Sequence, residues 1–299
     1  MHNTARSLPL LILAVVILQF LASGCVPSKQ ARVAAVAHTM EDVARAAAKQ
    51  SDLTIIQQGT PAYLMLVDGL IEAYPQDKRL LVAGAQAYTQ YAAAFMEDAE
   101  PAVLSGLYSK AKQYGFRALT GEKEPREVAV GTLQDYNILL SRFNKEDVPA
   151  LFWTTSAWAG WIRVNLNNLE ALAQLPYLEA SMSRLLELDD TYHYGGPHLL
   201  LASYLAAKPA ILGGDMEKAD EHFQRAFALG KGKLLMAKVL YAQYYARRLG
   251  SKSLFQHTLE EVLAAPVDSV PELTLANTLA KRKAEQLLEK TDEYFAEMP

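Results

Sequence analysis

The sequence predicts an all-α protein built as a degenerate solenoid of helical hairpins, with a capping helix at its C-terminal end. Three observations support this fold class. Half of the 299 residues are hydrophobic (51%) and alanine is frequent, which favours helices packed closely through small side chains. Apolar residues recur at intervals of three and four along most of the chain. Proline and glycine interrupt this pattern repeatedly, as expected for helices joined by turns.

The first 25 residues predict a lipoprotein signal. Arg6 precedes an apolar run over residues 10–18, and Leu-Ala-Ser-Gly stands directly before Cys25. A positive start, a run too short to span a membrane and small residues before the cut are typical of a secretory signal peptide. The last part resembles a bacterial lipobox, although Ala22 stands where leucine is usual. We expect residues 1–24 to be removed and Cys25 to carry the lipid; the alternative is a retained N-terminal anchor.

Two segments are predicted after the signal. Residues 25–50 are alanine-rich with scattered charges, which predicts a lipidated N-terminus and a tether or first helix. Residues 51–299 are predicted to form one tetratricopeptide-like α-helical domain, because none of their breaks is long enough for a flexible linker. Within this domain, Thr60-Pro61 predicts an N-cap followed by proline at the first helical position. That helix should end before Pro75.

Repeats of helical hairpins are the main signal in this domain. A tetratricopeptide unit is a helical hairpin of about 34 residues. The best match is a half-unit in which Gly214-Asp215 makes the turn and N-cap, and Ala219, Phe223 and Ala226 follow at the required spacing. Leu178, Met182 and Leu185 form a second half-unit. A third runs from Ala62 through Leu66 and Leu70 to Pro75, and Leu81, Ala85 and Tyr88 continue it as the next helix. The spacing between units is irregular, so an unrelated helical bundle is the alternative.

The last predicted helix covers residues 271–295. One apolar stripe runs along it, and Lys281, Arg282 and Lys283 lie mostly off that stripe. A helix with one apolar face and one polar face is what the end of a solenoid requires.

Charge and motifs exclude several classes of function. Removing residues 1–24 takes away Arg6 and no acidic residue, so the net charge changes from −4 to −5. A mildly acidic chain lacks the electrostatic footprint of a nucleic-acid binder. No nucleophile elbow, phosphate loop, zinc-protease motif or dinucleotide fingerprint is present. The sequence therefore predicts no enzyme and no cofactor.

Histidines do not predict a metal site. His193 and His198 are the closest pair, but Gly195-Gly196-Pro197 between them indicates a helix stop and restart. A metal site usually needs ligands at helical spacing or a convergent set.

Aromatic residues are the better candidates for binding. Trp153, Trp158 and Trp161 lie on one predicted helix. Core packing is one interpretation, and an aromatic-lined cavity on the concave face of the solenoid is the other. Tyr192, Tyr194 and Tyr245 could contribute polar tips to the same surface. These six residues are the predicted ligand-binding candidates.

Several longer motifs resemble those of a known family, the TatT components of TRAP (tripartite ATP-independent periplasmic) transporters. The resemblance extends from the lipobox to the last helix. Its most specific parts are Leu107-Tyr108-Ser109-Lys110-Ala111, Leu151-Phe152-Trp153 with Ala157-Trp158, residues 192–201, Gly213-Gly214-Asp215 with Phe223, and Tyr244-Tyr245-Ala246.

This resemblance implies a periplasmic tetratricopeptide-like lipoprotein that can form a homotrimer and bind a TRAP-type solute-binding protein. It also implies help in passing a small, hydrophobic ligand between its own cavity and that receptor, with no catalytic residue. Val26 after Cys25 favours the outer membrane. The alternatives are a lipoprotein scaffold for outer-membrane assembly or secretion and, with no motif to support it, an envelope enzyme.

Overall fold

The computed structural model describes residues 29–121 and 131–296, and this part of the chain is all-α, with helices and no strand. The predicted signal peptide and Cys25 lie outside the described residues, as does most of the polar loop after Gly121. The helices are α1 (Lys29–Ala48), α2 (Leu53–Ala73), α3 (Lys78–Phe95), α4 (Pro101–Thr120), α5 (Leu133–Ser141), α6 (Val148–Val164), α7 (Leu169–Ala173), α8 (Leu175–Asp189), α9 (Tyr192–Ala207), α10 (Met216–Gly230), α11 (Met236–Leu240), α12 (Lys252–Ala264), α13 (Thr274–Glu289) and α14 (Thr291–Phe295).

Shorter helical turns complete the described chain. A π-helical segment, Tyr241–Ala246, continues α11, and 3-10 turns cover Lys145–Asp147, Ala210–Leu212 and Pro271–Leu273. The chain divides into two compact units, residues 1–40 and 41–299. The second unit contains the helices from α2 onward.

Aspartate side chains start several helices. Asp52 accepts hydrogen bonds from the backbone N–H groups of Thr54 and Ile55, Asp77 caps α3 in the same way, and Asp215 caps α10. Such caps satisfy N–H groups that have no partner within the helix. The predicted start at Thr60-Pro61 is therefore wrong. Pro61 lies inside α2, which starts at the Asp52 cap and ends, as predicted, before Pro75.

Close packing joins α3, α4 and α6. Gly84 of α3 faces Tyr114 of α4, where a Cβ atom would lie 2.8 Å from the ring. Gly115 of α4 faces Thr154 of α6, where a Cβ atom would lie only 3.0 Å from the backbone Cα. Glycine at these positions lets the helix axes approach closely, as the small residues in the sequence predicted.

The predicted pattern in α10 is confirmed. Ala219, Phe223 and Ala226 are all buried, and they pack with Leu199 and Ala202 of α9. Leu178, Met182 and Leu185 of α8 are buried as well. The three-and-four spacing therefore identified the inner faces of α8 and α10 correctly. It was wrong for α2, where Ala62 and Leu66 are exposed and Leu64, Val67 and Ile71 are buried instead.

The last long helix, α13, uses its basic run for contacts within the protein. Lys281 donates to the carbonyl oxygen of Leu263 (2.7 Å), and Lys283 forms an ion pair with Glu97. The Arg282 guanidinium donates to the carbonyl oxygen of Ala94 and lies over the ring of Phe95, 5.0 Å from its centroid. Residues that lie off the apolar stripe thus connect α13 to the end of α3 instead of only facing solvent.

Candidate functional site

Helix α6, which carries the three tryptophans, is the most deeply buried helix of the middle region. Ten of its side chains are buried, including those of Thr154 and Thr155. Both threonine hydroxyls donate to backbone carbonyl oxygens one turn earlier, each at 2.6 Å. These hydrogen bonds offset the free energy that burial of a hydroxyl group costs. Threonine can therefore occur at buried positions of this helix.

The three tryptophans have different surroundings. Trp158 is 1% exposed and donates from Nε1 to Oε1 of Gln174 (2.7 Å), with the rings of Phe116 and Tyr136 edge-on to its indole. Trp153 is also buried, against Phe152. Trp161 is half-buried, and the Lys112 ammonium lies 4.1 Å above its ring. Trp153 and Trp158 thus occupy positions of the kind that core packing predicts.

Tyr192 precedes a left-handed turn at the start of α9, and Tyr194 lies within that turn. His193, Tyr194 and Gly195 have φ angles of 48°, 61° and 81°, a conformation that costs energy for residues other than glycine. The His193 ring packs against Trp153, with centroids 5.6 Å apart, and burial lowers the pKa of His193. The predicted stop and restart near Gly195 is confirmed as this turn.

The six predicted ligand-binding residues fall into different contact groups. Trp153, Tyr192 and Tyr194 surround His193, while Trp158 and Trp161 share the Lys112 ammonium. Tyr245 stacks on Tyr241, with centroids 4.9 Å apart. A pocket beside Tyr194 has a volume of only about 40 Å³. That is far below the roughly 300 Å³ of a small-molecule site.

Two phenols and a guanidinium converge elsewhere. Tyr108 of α4, Arg163 of α6 and Tyr244 of the π-helical segment influence one another electrostatically, and Glu97 faces the same group. Arg163 remains accessible to solvent, yet burial is the largest influence on its pKa, acting to lower it. The surrounding groups outweigh burial and raise the pKa of Arg163. The Arg163 side chain is thus exposed to water beside groups that favour its charged form.

The backbone fixes the Tyr108–Arg163–Tyr244 group in place. Gly160 lies one helical turn before Arg163 and approaches the Tyr108 ring so closely that a Cβ atom would lie 2.6 Å from Cζ. Tyr244 lies on a π-helical turn, a rare geometry that is frequent at functional sites. Burial raises the pKa of both Tyr108 and Tyr244, so both phenols are protonated at neutral pH and can donate hydrogen bonds.

A second cluster of similar composition lies between α2, α3 and α4. Asp68 accepts hydrogen bonds from the phenols of Tyr88 and Tyr114, both at 2.7 Å, and from the Lys110 ammonium at 2.5 Å. Burial acts to raise the pKa of Asp68, but the hydrogen bonds from Lys110, Tyr88 and Tyr114 outweigh it and lower the pKa. Each donor has its acceptor here, so this cluster joins three helices.

Two histidines meet between α9 and α10. Nδ1 of His198 lies 2.8 Å from Nδ1 of His222, and Nε2 of His198 lies 3.4 Å from Asp190. Asp190 also pairs with Arg225 at 3.2 Å. The partner of His198 is therefore His222 and not His193. Among the described residues, no three side chains of histidine, cysteine, aspartate or glutamate are placed to hold a metal ion.

A comparison with models of known protein families identifies the family of this chain. A model of the TRAP transporter T-component family matches residues 49–295. The chain belongs to this family.

A relative extends the comparison along nearly the whole chain. An uncharacterized protein of Treponema pallidum (strain Nichols) is 26% identical over 272 residues, which cover 85% of this chain and 84% of the relative.

Membership gives the chain a role in TRAP transport systems, as an accessory component. The matched residues include all four members of the group around Arg163 and the whole Asp68 cluster. Within residues 29–121 and 131–296, no helix is long and apolar enough to cross a membrane.

Sequence reasoning placed no candidate at Tyr108 or Arg163, and it considered Tyr244 only as one of several tyrosines whose polar tips could reach the tryptophan surface. These residues lie on three elements that are far apart in the chain, and no spacing rule connects them. The π-helical turn that carries Tyr244 has no recognisable signal in the sequence. Gly160 gave the nearest hint, because a glycine on a long apolar helix indicates a close approach of another group.

Proposed function

We propose that this chain is a lipid-anchored periplasmic accessory protein that docks the solute-binding protein of a TRAP-type transport system and holds a small, hydrophobic ligand. The family match over residues 49–295 is the observation that carries the proposal. The ligand would be held beside the half-buried Trp161 of α6, whose ring faces the Lys112 ammonium. Ligand sites are lined mainly by apolar and aromatic side chains with a few polar groups.

The architecture fits a docking component. Helices that pack in sequence order, with small residues at their contacts, support the tetratricopeptide-like arrangement that the repeats predict. Such solenoids present extended concave surfaces to their partners. The contacts of Arg282 and Lys283 with the end of α3 would hold the two ends of the proposed solenoid together.

Self-association belongs to the same proposal. One face of α2 exposes Ile55 (62%) and Leu66 (53%), and Gly59 between them has nothing within 4 Å of an added Cβ atom. Apolar residues on an unpartnered helix face favour an interface with other copies of the chain. A homotrimer is the proposed state. Sedimentation of Leu66→Glu should then show monomers, whereas Leu169→Glu, at an exposed leucine on α7, should leave the trimer unchanged.

Anchoring rests on Cys25. Lipidation at this cysteine would attach the protein to a membrane, with the outer membrane proposed, because two or more acyl chains make stable attachment. After export, Cys25→Ser should move the protein to the soluble periplasmic fraction. Continued membrane association of this variant would indicate an uncleaved N-terminal anchor.

Docking is tested by affinity capture of the native protein from gently solubilised envelopes, with mass spectrometry of the proteins that co-purify. Recovery of a periplasmic solute-binding protein supports the proposal. Recovery of outer-membrane assembly or secretion proteins without such a receptor would overturn it in favour of a scaffold. A strain without the tagged chain provides the background.

A further inference from the structure

The start of α9 contains one turn of left-handed backbone. His193, Tyr194 and Gly195 are left-handed in succession, although residues other than glycine usually adopt this conformation singly. Such strain persists only where the surroundings hold it, and it is found at ligand clamps and switch regions. The His193 ring packs against Phe152 and Trp153, with centroids 5.8 Å and 5.6 Å away. Aromatic side chains of α6 therefore hold the first residue of the turn.

The second residue of the turn, Tyr194, is a wall of the pocket beside it. Apolar side chains of α10 and of the start of α11 line the same pocket, namely Phe227, Leu234, Leu235 and Ala237. Its volume is about 40 Å³, and one water molecule needs roughly 10–15 Å³. Protein interiors contain few voids of this size. A water molecule would find few polar partners in such a lining, so the pocket favours an apolar occupant.

The charge at the edge of the pocket is already paired. Lys238 is the one charged residue in the described lining, and its ammonium donates to Glu261 at 2.8 Å. The pocket therefore offers an occupant no unpaired charge. An uncharged group fits it better than an anion, because burying an unpaired charge is costly.

The left-handed turn meets α10 through backbone atoms. A Cβ atom at Gly230 would lie 3.2 Å from the carbonyl oxygen of Tyr194. A Cβ atom at Gly195 would lie 3.1 Å from Cα of Ala226. At these two glycines no side chain interlocks the turn with the helix. Tyr194 can therefore move away from α10 without side chains having to pass each other, and leaving the left-handed conformation would release strain.

A second unusual backbone feature continues the opposite wall. Helix α11, which supplies Ala237 and Lys238, runs directly into the π-helical segment Tyr241–Ala246. Segments of this kind are rare and are frequent at functional sites. A left-handed turn and the start of a π-helical segment thus border one apolar void.

We propose that the pocket beside Tyr194 is a binding site for an uncharged apolar group of the size of a short alkyl branch, and that Tyr194 is a wall that moves to admit a larger group. This site is built from other residues than the position proposed beside Trp161. It stands or falls independently of the docking function.

Xenon and benzene are suitable probes, because dry apolar cavities in proteins bind both. Xenon is a single atom and tests the pocket as it stands, whereas benzene needs more space and tests the movement of Tyr194. Both are titrated into the full chain carrying Cys25→Ser, so that no lipid is attached, with ¹³C in the methyl groups of leucine and alanine. We expect both probes to shift the NMR signals of Leu234 and Ala237, and benzene to show NOEs to the same methyl groups.

Variants assign these shifts to the pocket. Ala237→Leu fills it and should abolish the xenon shifts at Leu234, and Ala237→Val is the milder substitution if the first does not fold. Ala228→Leu, at an exposed alanine on α10, is the matched control and should change nothing. Tyr194→Ala should bind benzene about tenfold more tightly than the wild-type chain, because no wall has to move first. Melting curves verify that each variant is folded.

Two sets of results would overturn the proposal. Absence of xenon shifts at Leu234 and Ala237, or unchanged shifts at Leu234 in a folded Ala237 variant, would mean that the pocket is not a binding site. Absence of benzene binding to the wild-type chain, or equal affinity in Tyr194→Ala, would mean that Tyr194 is not a movable wall.

Discussion

Two groups of similar side chains, one around Asp68 and one around Arg163, differ in where their carboxylate is engaged. Both place one cation beside two phenols, and both use residues of α4, namely Lys110 and Tyr114 in the first and Tyr108 in the second. The first contains its own carboxylate and joins three helices. In the second, Glu97 faces the group but is paired with Lys283, and the Arg163 side chain is exposed. Similar side chains therefore join helices where their carboxylate accepts all of their hydrogen bonds, and they remain open to water where it does not.

The largest expected effect comes from removing the acceptor of the first cluster. Asp68→Asn leaves Lys110 and two phenols without their carboxylate, and we expect the free energy of unfolding to fall by about 2 kcal/mol. The loss stays moderate because the Lys110 side chain is 39% exposed and water can solvate it. Urea unfolding followed by circular dichroism measures it. A change below about 0.5 kcal/mol would mean that the cluster does not stabilise the fold.

A smaller effect is expected from disturbing the second cluster through the backbone. In Gly160→Ala the added Cβ would lie 2.6 Å from Cζ of the buried Tyr108 ring. Overpacking of this kind costs about 1–3 kcal/mol, partly offset by the higher helix propensity of alanine. Urea unfolding of this variant beside the wild-type chain measures the loss.

Gly106→Ala is the matched control for that substitution. Gly106 lies on the same helix as Tyr108 but has nothing within 4 Å of an added Cβ atom. Alanine there should stabilise the helix by up to about 1 kcal/mol. If both variants are stabilised, the close approach of Gly160 to Tyr108 does not restrict the site.

The Asp68 cluster and the His198–His222 pair should affect stability over different pH ranges. Because the pKa of Asp68 is lowered from 3.8, its contribution is present above that pH and is lost as the pH falls through the folded value. Burial lowers the pKa of His198 and His222 below 6.5, and their mutual repulsion lowers that of His222 further. As the pH falls, the two histidines take up protons in the unfolded state at a higher pH than in the folded state. The free energy of unfolding therefore decreases as the pH falls below about 6.5.

Stability measured against pH tests this assignment. His222→Gln should flatten the decrease that starts near pH 6.5, and Asp68→Asn should leave it unchanged. Groups around the pair that also titrate or carry charge are Asp190, Arg225 and Glu221. Arg225→Gln therefore serves as a control for the charge next to His198. A decrease near pH 6.5 that persists in His222→Gln would assign it to other groups.

The smallest expected effect belongs to Arg163 in the absence of ligand. Since no described carboxylate forms a salt bridge with it, Arg163→Gln should change the free energy of unfolding by less than about 0.5 kcal/mol. Urea unfolding of Arg163→Gln and of Asp68→Asn under the same conditions compares the two losses in the free energy of unfolding. A loss as large as that of Asp68→Asn would mean that Arg163 serves the fold, and the contrast between the two clusters would disappear.

The fold could be predicted further than the site. Helix α10 followed from local signals alone, since Asp215 is a strong cap and Ala219, Phe223 and Ala226 repeat at helical spacing. The start of α2 was misplaced because Thr60-Pro61 imitates a helix start, whereas the stronger cap at Asp52 begins the helix earlier. Local chemistry thus determined most helices and failed where two start signals competed.

The candidate site depends on packing across distant elements. Trp153 and Trp158 were prominent in the sequence because tryptophan is rare and large, yet the structure buries both against other side chains. Arg163 is an ordinary residue in the sequence. It becomes notable only because α4 and a π-helical turn place two phenols beside it, and neither placement follows from periodicity.

The most direct test of the central claim is the pKa of the Asp68 carboxyl group. Asp68 labelled with ¹³C at its carboxyl carbon is titrated by NMR in the wild-type chain and in Arg163→Gln. If Lys110, Tyr88 and Tyr114 hold the carboxylate as the structure shows, its pKa lies below 3.8 in both. A pKa at or above 3.8 would mean that the three donors do not stabilise the charged form and would contradict the account.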